Sequence, residues 1–127
     1  MRQIPLLLLA GLALAAQPRI TTVANSADFS SAVAPGSQGS IFGTGLAASV
    51  ASVTAVPHPA ALNGVAVSIG GRAARLSYVS PTQINFQVPY GVTLGGAAVV
   101  VTNGTATSNS IQIPVTATAP GVYQYGA

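Results

Sequence analysis

Gln83-Ile84-Asn85-Phe86-Gln87-Val88 is the stretch that decides the fold, because it alternates amides with large apolar residues. A period of two puts Ile84, Phe86 and Val88 on one face of an extended chain and the amides on the other. Pro81 and Pro89 stand on either side of the run. Proline cannot donate to a strand ladder, so the two mark where the strand ends.

Working outward, Val65-Ala66-Val67-Ser68-Ile69 alternates in the same way, Gly70-Gly71 supplies a two-residue turn, and Ala73 to Val79 returns. A type I′ turn needs positive φ at both central residues, which glycine adopts without steric cost. On the other side, Ala97 to Thr102 runs into Asn103-Gly104 and returns toward Ile111-Gln112-Ile113. Asn-Gly is a strong short-range hairpin signal. Ile20 to Val23 and Ser40 to Phe42 also read as strands. Residues 47–63, with Pro57 and Pro59, read as a connection holding at most one short strand. No amphipathic helix of ten residues is visible. About seven short strands separated by turn residues predict an all-β antiparallel sandwich. Its expected core is Ile41, Val65, Val67, Ile69, Leu76, Tyr78, Ile84, Phe86, Val99, Val101, Ile111, Ile113 and Val115.

Residues 1–16 read as a secretory signal peptide. Arg2 provides the positive start, Ile4 to Leu14 the apolar run, and Ala13-Leu14-Ala15 a small-x-small cleavage pattern, with the cut after Ala15 or Ala16. The run is shorter than the roughly 20 residues that span a bilayer, and no second one follows. The expectation is export to the periplasm or beyond, with residues 17–127 as one domain and no membrane span. The 127 residues are too few for two ordinary domains.

Composition then limits the chemistry. Charged residues make up 4% of the chain, against roughly 25% in an average soluble domain. Beyond Arg2 in the leader, the charges are Arg19, Arg72 and Arg75 against Asp28. Three scattered arginines without a basic run are too few for the phosphate contacts of nucleic-acid binding. With no cysteine, one histidine and one acid, a disulfide scaffold, a zinc knuckle and a thiol nucleophile are excluded, and no paired-carboxylate, His-cluster or acidic calcium site can be assembled within one chain. No cofactor is expected. So weakly charged a surface repels its own copies little, which leaves self-association open.

Several residues are candidates for chemistry. Gly43-Thr44-Gly45-Leu46-Ala47-Ala48 matches a dinucleotide fingerprint, but that motif needs an opening helix and an acid about 20 residues further on. A Gly-rich bend is the expected reading. Asp28, His58 and a serine could form a hydrolytic triad, yet no G-x-S-x-G elbow exists and His58 lies between two prolines. His58 is therefore read as a loop residue and Asp28 as a turn cap. Asn103-Gly104-Thr105 is a formal glycosylation sequon, read here as a turn. Arg72 and Arg75 flank the Gly-Gly turn, and Tyr90, Tyr123 and Tyr125 are loop or tail aromatics; these five are the candidate ligand or partner contacts. The tail Gly121-Val122-Tyr123-Gln124-Tyr125 alternates like a strand, to be paired within its own sheet or with an exposed edge of another copy.

Ala34-Pro35-Gly36-Ser37, Ser40-Ile41-Phe42-Gly43-Thr44-Gly45, Tyr78 to Pro89 with Ser80-Pro81-Thr82-Gln83-Ile84-Asn85-Phe86-Gln87-Val88-Pro89, and Ala119-Pro120-Gly121-Val122-Tyr123 follow one another in order. Together they resemble the Solibacter-type C-terminal domain of secreted acidobacterial proteins, whose pattern is similar to the IPT/TIG immunoglobulin-like modules. The resemblance implies an immunoglobulin-like sandwich and export, and no activity. Relatives usually carry a large N-terminal region and often continue into a second lobe, which leaves open that this is a shortened relative. The functional expectation is an exported, non-catalytic module for protein contacts or cell-surface scaffolding. A glycan-binding module using the loop tyrosines is the alternative, and a hydrolase the least favoured.

Overall fold

Alternation along the chain translates directly into strands. The structure, a computed structural model, describes residues 17–117. In chain order the strands are β1 (Arg19–Asn25), β2 (Gln38–Thr44), β3 (Ala51–Ser52), β4 (Ala61–Leu62), β5 (Val65–Ile69), β6 (Arg72–Ala73), β7 (Arg75–Val79), β8 (Gln83–Gln87), β9 (Ala97–Asn103), β10 (Ala106–Thr107) and β11 (Ile111–Ile113). Seven have three residues or more, as expected, and the other four are two-residue pieces. One sheet runs β1-β2-β8-β7-β3; the other runs β10-β9-β5-β4, with β11 also on β9 and β6 on β5. All these pairs are antiparallel, and a single parallel bridge joins Val33 to Val115. The described residues form an immunoglobulin-like sandwich with no helix.

β8 is the central strand of its sheet. Ile84 pairs with Ile41 on β2 and Val79 on β7, while Phe86 pairs with Gly39 and Leu76. Ile84, Phe86 and Val88 are fully buried, facing Val65, Val67, Ile69, Val99 and Val101 of the second sheet within one cluster. Gly39 is required by this packing. A Cβ there would lie 2.4 Å from Cζ of Phe86, so the ring occupies the space that any side chain would need.

Five local expectations are corrected. Tyr78 is half-buried and faces outward, because the register shifts between Leu76 and Tyr78 and so reverses the parity; Val79 takes the core position. Ile111 is only half-buried, packing against the rim of the core from the three-residue strand β11, whose pairing is to β9. The Gly70-Gly71 turn forms as expected, with φ +60° and +81°, but the return along β5 stops after Arg72 and Ala73 and the bond from the Ala74 N–H to the Val67 carbonyl at 2.9 Å. After Ala74 the chain crosses to the other sheet as β7. In the second hairpin Asn103 pairs with Ala106, so the turn residues are Gly104 and Thr105. Only Gly104 (φ +64°) has positive φ there, the pattern of a type II′ turn, and Asn103 instead donates its amide to the Gly45 carbonyl at 3.2 Å. The connection 47–63 carries two short strands, β3 and β4, rather than one.

A side chain also joins the two sheets. Asn109, between β10 and β11, accepts the backbone N–H of Ile20 at 2.7 Å and donates to the Ile20 carbonyl at 3.0 Å. It acts as a one-residue strand on the outer edge of β1, and Ile20 is buried beneath it.

Candidate functional site

The strand directions gather four connections at one end of the sandwich: residues 26–37, 53–60, 70–71 and 88–96. Of the five exposed large apolar side chains among the described residues, four lie on these connections: Phe29 (68% exposed), Val56 (86%), Tyr90 (77%) and Leu94 (52%). Val50 lies at the opposite end. Charge is distributed in the same way. Asp28, His58, Arg72 and Arg75 are at the loop end, and Arg19, at the start of β1, is at the other. A single exposed apolar side chain needs no explanation, but four on the connections of one end, beside the polar reactive groups, are a concentration that the opposite end lacks among the described residues.

Phe29 is held against its own preference. It has φ +62°, a conformation that costs a non-glycine residue on the order of 1 kcal/mol. The turn is over-determined by hydrogen bonds: Phe29 N–H to the Asn25 carbonyl at 2.7 Å, Asn25 N–H to the Ser30 carbonyl at 2.7 Å, and Ala27 N–H to Asn25 Oδ1 at 2.8 Å. The ring held in this way is 68% exposed, so burial contributes little to offset the strain.

Asp28 Oδ1 accepts the Ser30 N–H at 2.9 Å, and this bond lowers the carboxyl pKa below its ordinary 3.8. A folded-state pKa below the unfolded one means that the unfolded chain binds the proton more readily. The stability the bond contributes is therefore present above pH 3.8 and lost as pH falls through the folded value. Asp28 is the only side-chain carboxylate in the protein. Thermal melts between pH 2 and 5, intervals taken around that carboxylate range, are expected to show a shallow acid slope that Asp28→Asn removes. An acid slope unchanged in the variant would contradict the assignment.

Beside the loops lies a groove of about 460 Å³. Its floor is a row across the outer sheet face, where Gln87 is in register with Gln38 on one side and Arg75 on the other. Val56, Pro57, His58 and Tyr90 complete the lining. Arg75 Nη1 donates to the His58 carbonyl at 2.8 Å, tying the 53–60 connection to β7. His58 Nδ1 lies 2.9 Å from the Ala55 carbonyl, which can only accept, so that nitrogen carries the proton. Gln87 Nε2 donates to the Gly36 carbonyl at 3.1 Å. Tyr90 leans on the same glycine: a Cβ on Gly36 would lie 2.4 Å from Tyr90 Cε1. Next along the chain, the Arg72 guanidinium rests on Gly91, with Cζ 3.0 Å from where its Cβ would be. Further along β8, Asn85 Oδ1 accepts from Ser40 Oγ at 3.0 Å and Gln83 Nε2 at 2.9 Å, so its acceptor is already used.

The structure thus brings Tyr90 and Arg75 into one groove and places Arg72 beside Tyr90's neighbour. Tyr123 and Tyr125 lie outside the described residues, as do residues 1–16, read from the sequence as a signal peptide, and the alternating tail. Phe29, Val56, Gln38 and Gln87 were not among the sequence candidates. The outward register of Gln87 was readable from the alternation of residues 83–88; nothing in the sequence singled out Phe29. The hydrolytic candidates are engaged separately, Asp28 with Ser30 and His58 with Ala55 and Arg75. Among the described residues no group of three His, Cys, Asp or Glu could hold a metal ion. The Gly43–Ala48 run is the end of β2 and a bend, where no helix opens.

Comparison with known proteins fits this architecture. A search of curated proteins gives no match. Among solved structures, the gamma-CGTase of alkalophilic Bacillus clarkii is similar over 80% of this chain and 12% of its own, with TM-score 0.57 and 21% identity. An auxiliary nutrient binding protein of Bacteroides thetaiotaomicron is similar over 85% of this chain and 21% of its own, with TM-score 0.51 and 14% identity. The chain therefore spans a small part of either protein, and at these identities the likeness is one of fold. The family model described as IPT/TIG domain matches residues 25–119, most of the sandwich, and the chain belongs to the IPT/TIG domain family.

Proposed function

We propose that this protein is exported by residues 1–16 and serves as a non-catalytic recognition module that makes protein contacts through its loop end. The observation that carries the reading is the convergence of Phe29, Val56, Tyr90 and Leu94 with Arg72 and Arg75 on that end. Exposed aromatics ringed by arginine are typical of the residues that dominate protein interfaces. No helix among the described residues is long and apolar enough to cross a membrane.

Retention on the producing cells tests the proposal. Phe29→Asn keeps a residue that tolerates positive φ, and Tyr90→Ser removes a mostly exposed ring. The double variant is expected to melt within about 2 °C of the parent, as surface changes do, and to leave the cell-bound pool for the medium. Val50→Ser, at the opposite end, is expected to leave the distribution unchanged. Release by both variants alike, or by neither, removes the reading.

Glycan binding is the second reading, favoured by one specific arrangement. The amides of Gln38 and Gln87, the Arg75 guanidinium and the Tyr90 ring line a single groove. Planar donors beside an aromatic platform suit hydroxyls on one edge of a sugar and C–H groups on its face. Hydrolysis has no such support: any turnover of ester or glycoside substrates is expected to be unchanged in His58→Ala.

A further inference from the structure

We infer that the groove takes a glycan chain bearing uronate carboxylates, with Arg75 receiving the carboxylate and Tyr90 covering a sugar ring. The inference rests on the glycan reading above and adds the acidic character of the ligand.

Charge is the first argument. A guanidinium has five N–H donors, and Arg75 is shown donating from Nη1 to the His58 carbonyl. Arg72 lies against Gly91 nearby. The protein's only side-chain carboxylate, Asp28, is engaged with the Ser30 backbone. Among the described residues the loop end therefore holds two arginines and a single carboxylate, Asp28, which is bonded to Ser30 rather than to either arginine, and an incoming carboxylate fits the fork of a guanidinium in a bidentate way.

The floor supplies the second argument. β2 and β8 are paired with neighbours on both sides, so an extended peptide lying there meets no open backbone edge. What the floor offers is side-chain amides, and a saccharide presents pendant hydroxyls that can use them. Tyr90 adds a ring supported from behind by Gly36 and 77% exposed.

Isothermal titration of the purified protein tests this with three probes: hexagalacturonate, neutral maltohexaose and poly-L-glutamate. Hexagalacturonate is expected to bind at least about tenfold more tightly than either of the others. Arg75→Lys, which keeps the charge and a donor for the His58 carbonyl but loses the fork, is expected to weaken it about tenfold, and Tyr90→Ala similarly. Arg19→Gln, at the far end, is expected to leave it unchanged. Equal binding of maltohexaose would overturn the acidic inference while leaving the glycan reading standing. Equal binding of poly-L-glutamate, or an equal loss in Arg19→Gln, would show attraction to charge alone and overturn it. Binding of none of the three would remove the glycan reading as well.

Discussion

Phe86→Ala is expected to cost about 3–5 kcal/mol of unfolding free energy, measured by urea denaturation. The ring is fully buried at the centre of the five-stranded sheet, in register with Gly39 and Leu76. Removing it leaves a cavity between the sheets, and Gly39, in register with it, has no side chain to fill the space. Domains of this size have only about 5–15 kcal/mol in total, so the variant stands near the edge of folding. The complementary change, Gly39→Ala, forces a methyl into the ring and is expected to cost about 1–3 kcal/mol. Because the two sites share one volume, Gly39→Ala with Phe86→Leu should cost less than the sum of the two single changes. A cost below about 1 kcal/mol for Phe86→Ala would show that the ring is not in the core, well under the range for such a cavity.

Asn109→Ala is expected to be the next most damaging change, at about 1–3 kcal/mol, although it removes no apolar side chain. The side chain pairs with both backbone groups of Ile20, and Ile20 is buried. Without it, a buried N–H and C=O lose their partners, and that desolvation is not offset elsewhere. Asn109→Asp separates the two bonds. A carboxylate still accepts the Ile20 N–H but opposes the Ile20 carbonyl, so the variant should remain destabilised and regain stability in acid. Hydrogen exchange at the Ile20 amide provides a direct readout: its protection should fall in Asn109→Ala before global unfolding begins.

The sheet pairing was legible wherever a face was regular. Residues 83–88 alternate without interruption, and their inward set, Ile84, Phe86 and Val88, is fully buried. Legibility failed where the period breaks. The register shift before Tyr78 moves an aromatic from core to surface, and no residue type in Arg75–Val79 signals it. The shift of the second turn by one residue has a similar cause. Asn103-Gly104 has the chemistry of a type I′ turn, but the Asn103 side chain is held by Gly45, a contact across 58 positions that local propensity cannot anticipate. For the site, Tyr90, Arg72 and Arg75 were visible as unusual residues beside turns. Their convergence with Phe29 and Val56 depends on the strand directions in the assembled sheets, which composition does not carry.

The absence of cysteine offers a clean way to ask which end of the molecule works. Single cysteines placed at positions 29, 56, 90 and 50 should each react with an impermeant maleimide in the purified protein, because all four native side chains are largely exposed. On intact producing cells, positions 29, 56 and 90 are predicted to be protected, with labelling rates at least about tenfold lower, while position 50 keeps its rate. The tenfold criterion corresponds to a site occupied in roughly nine molecules of ten. Labelling at equal rates at both ends, or protection confined to position 50, would contradict recognition through the loop end.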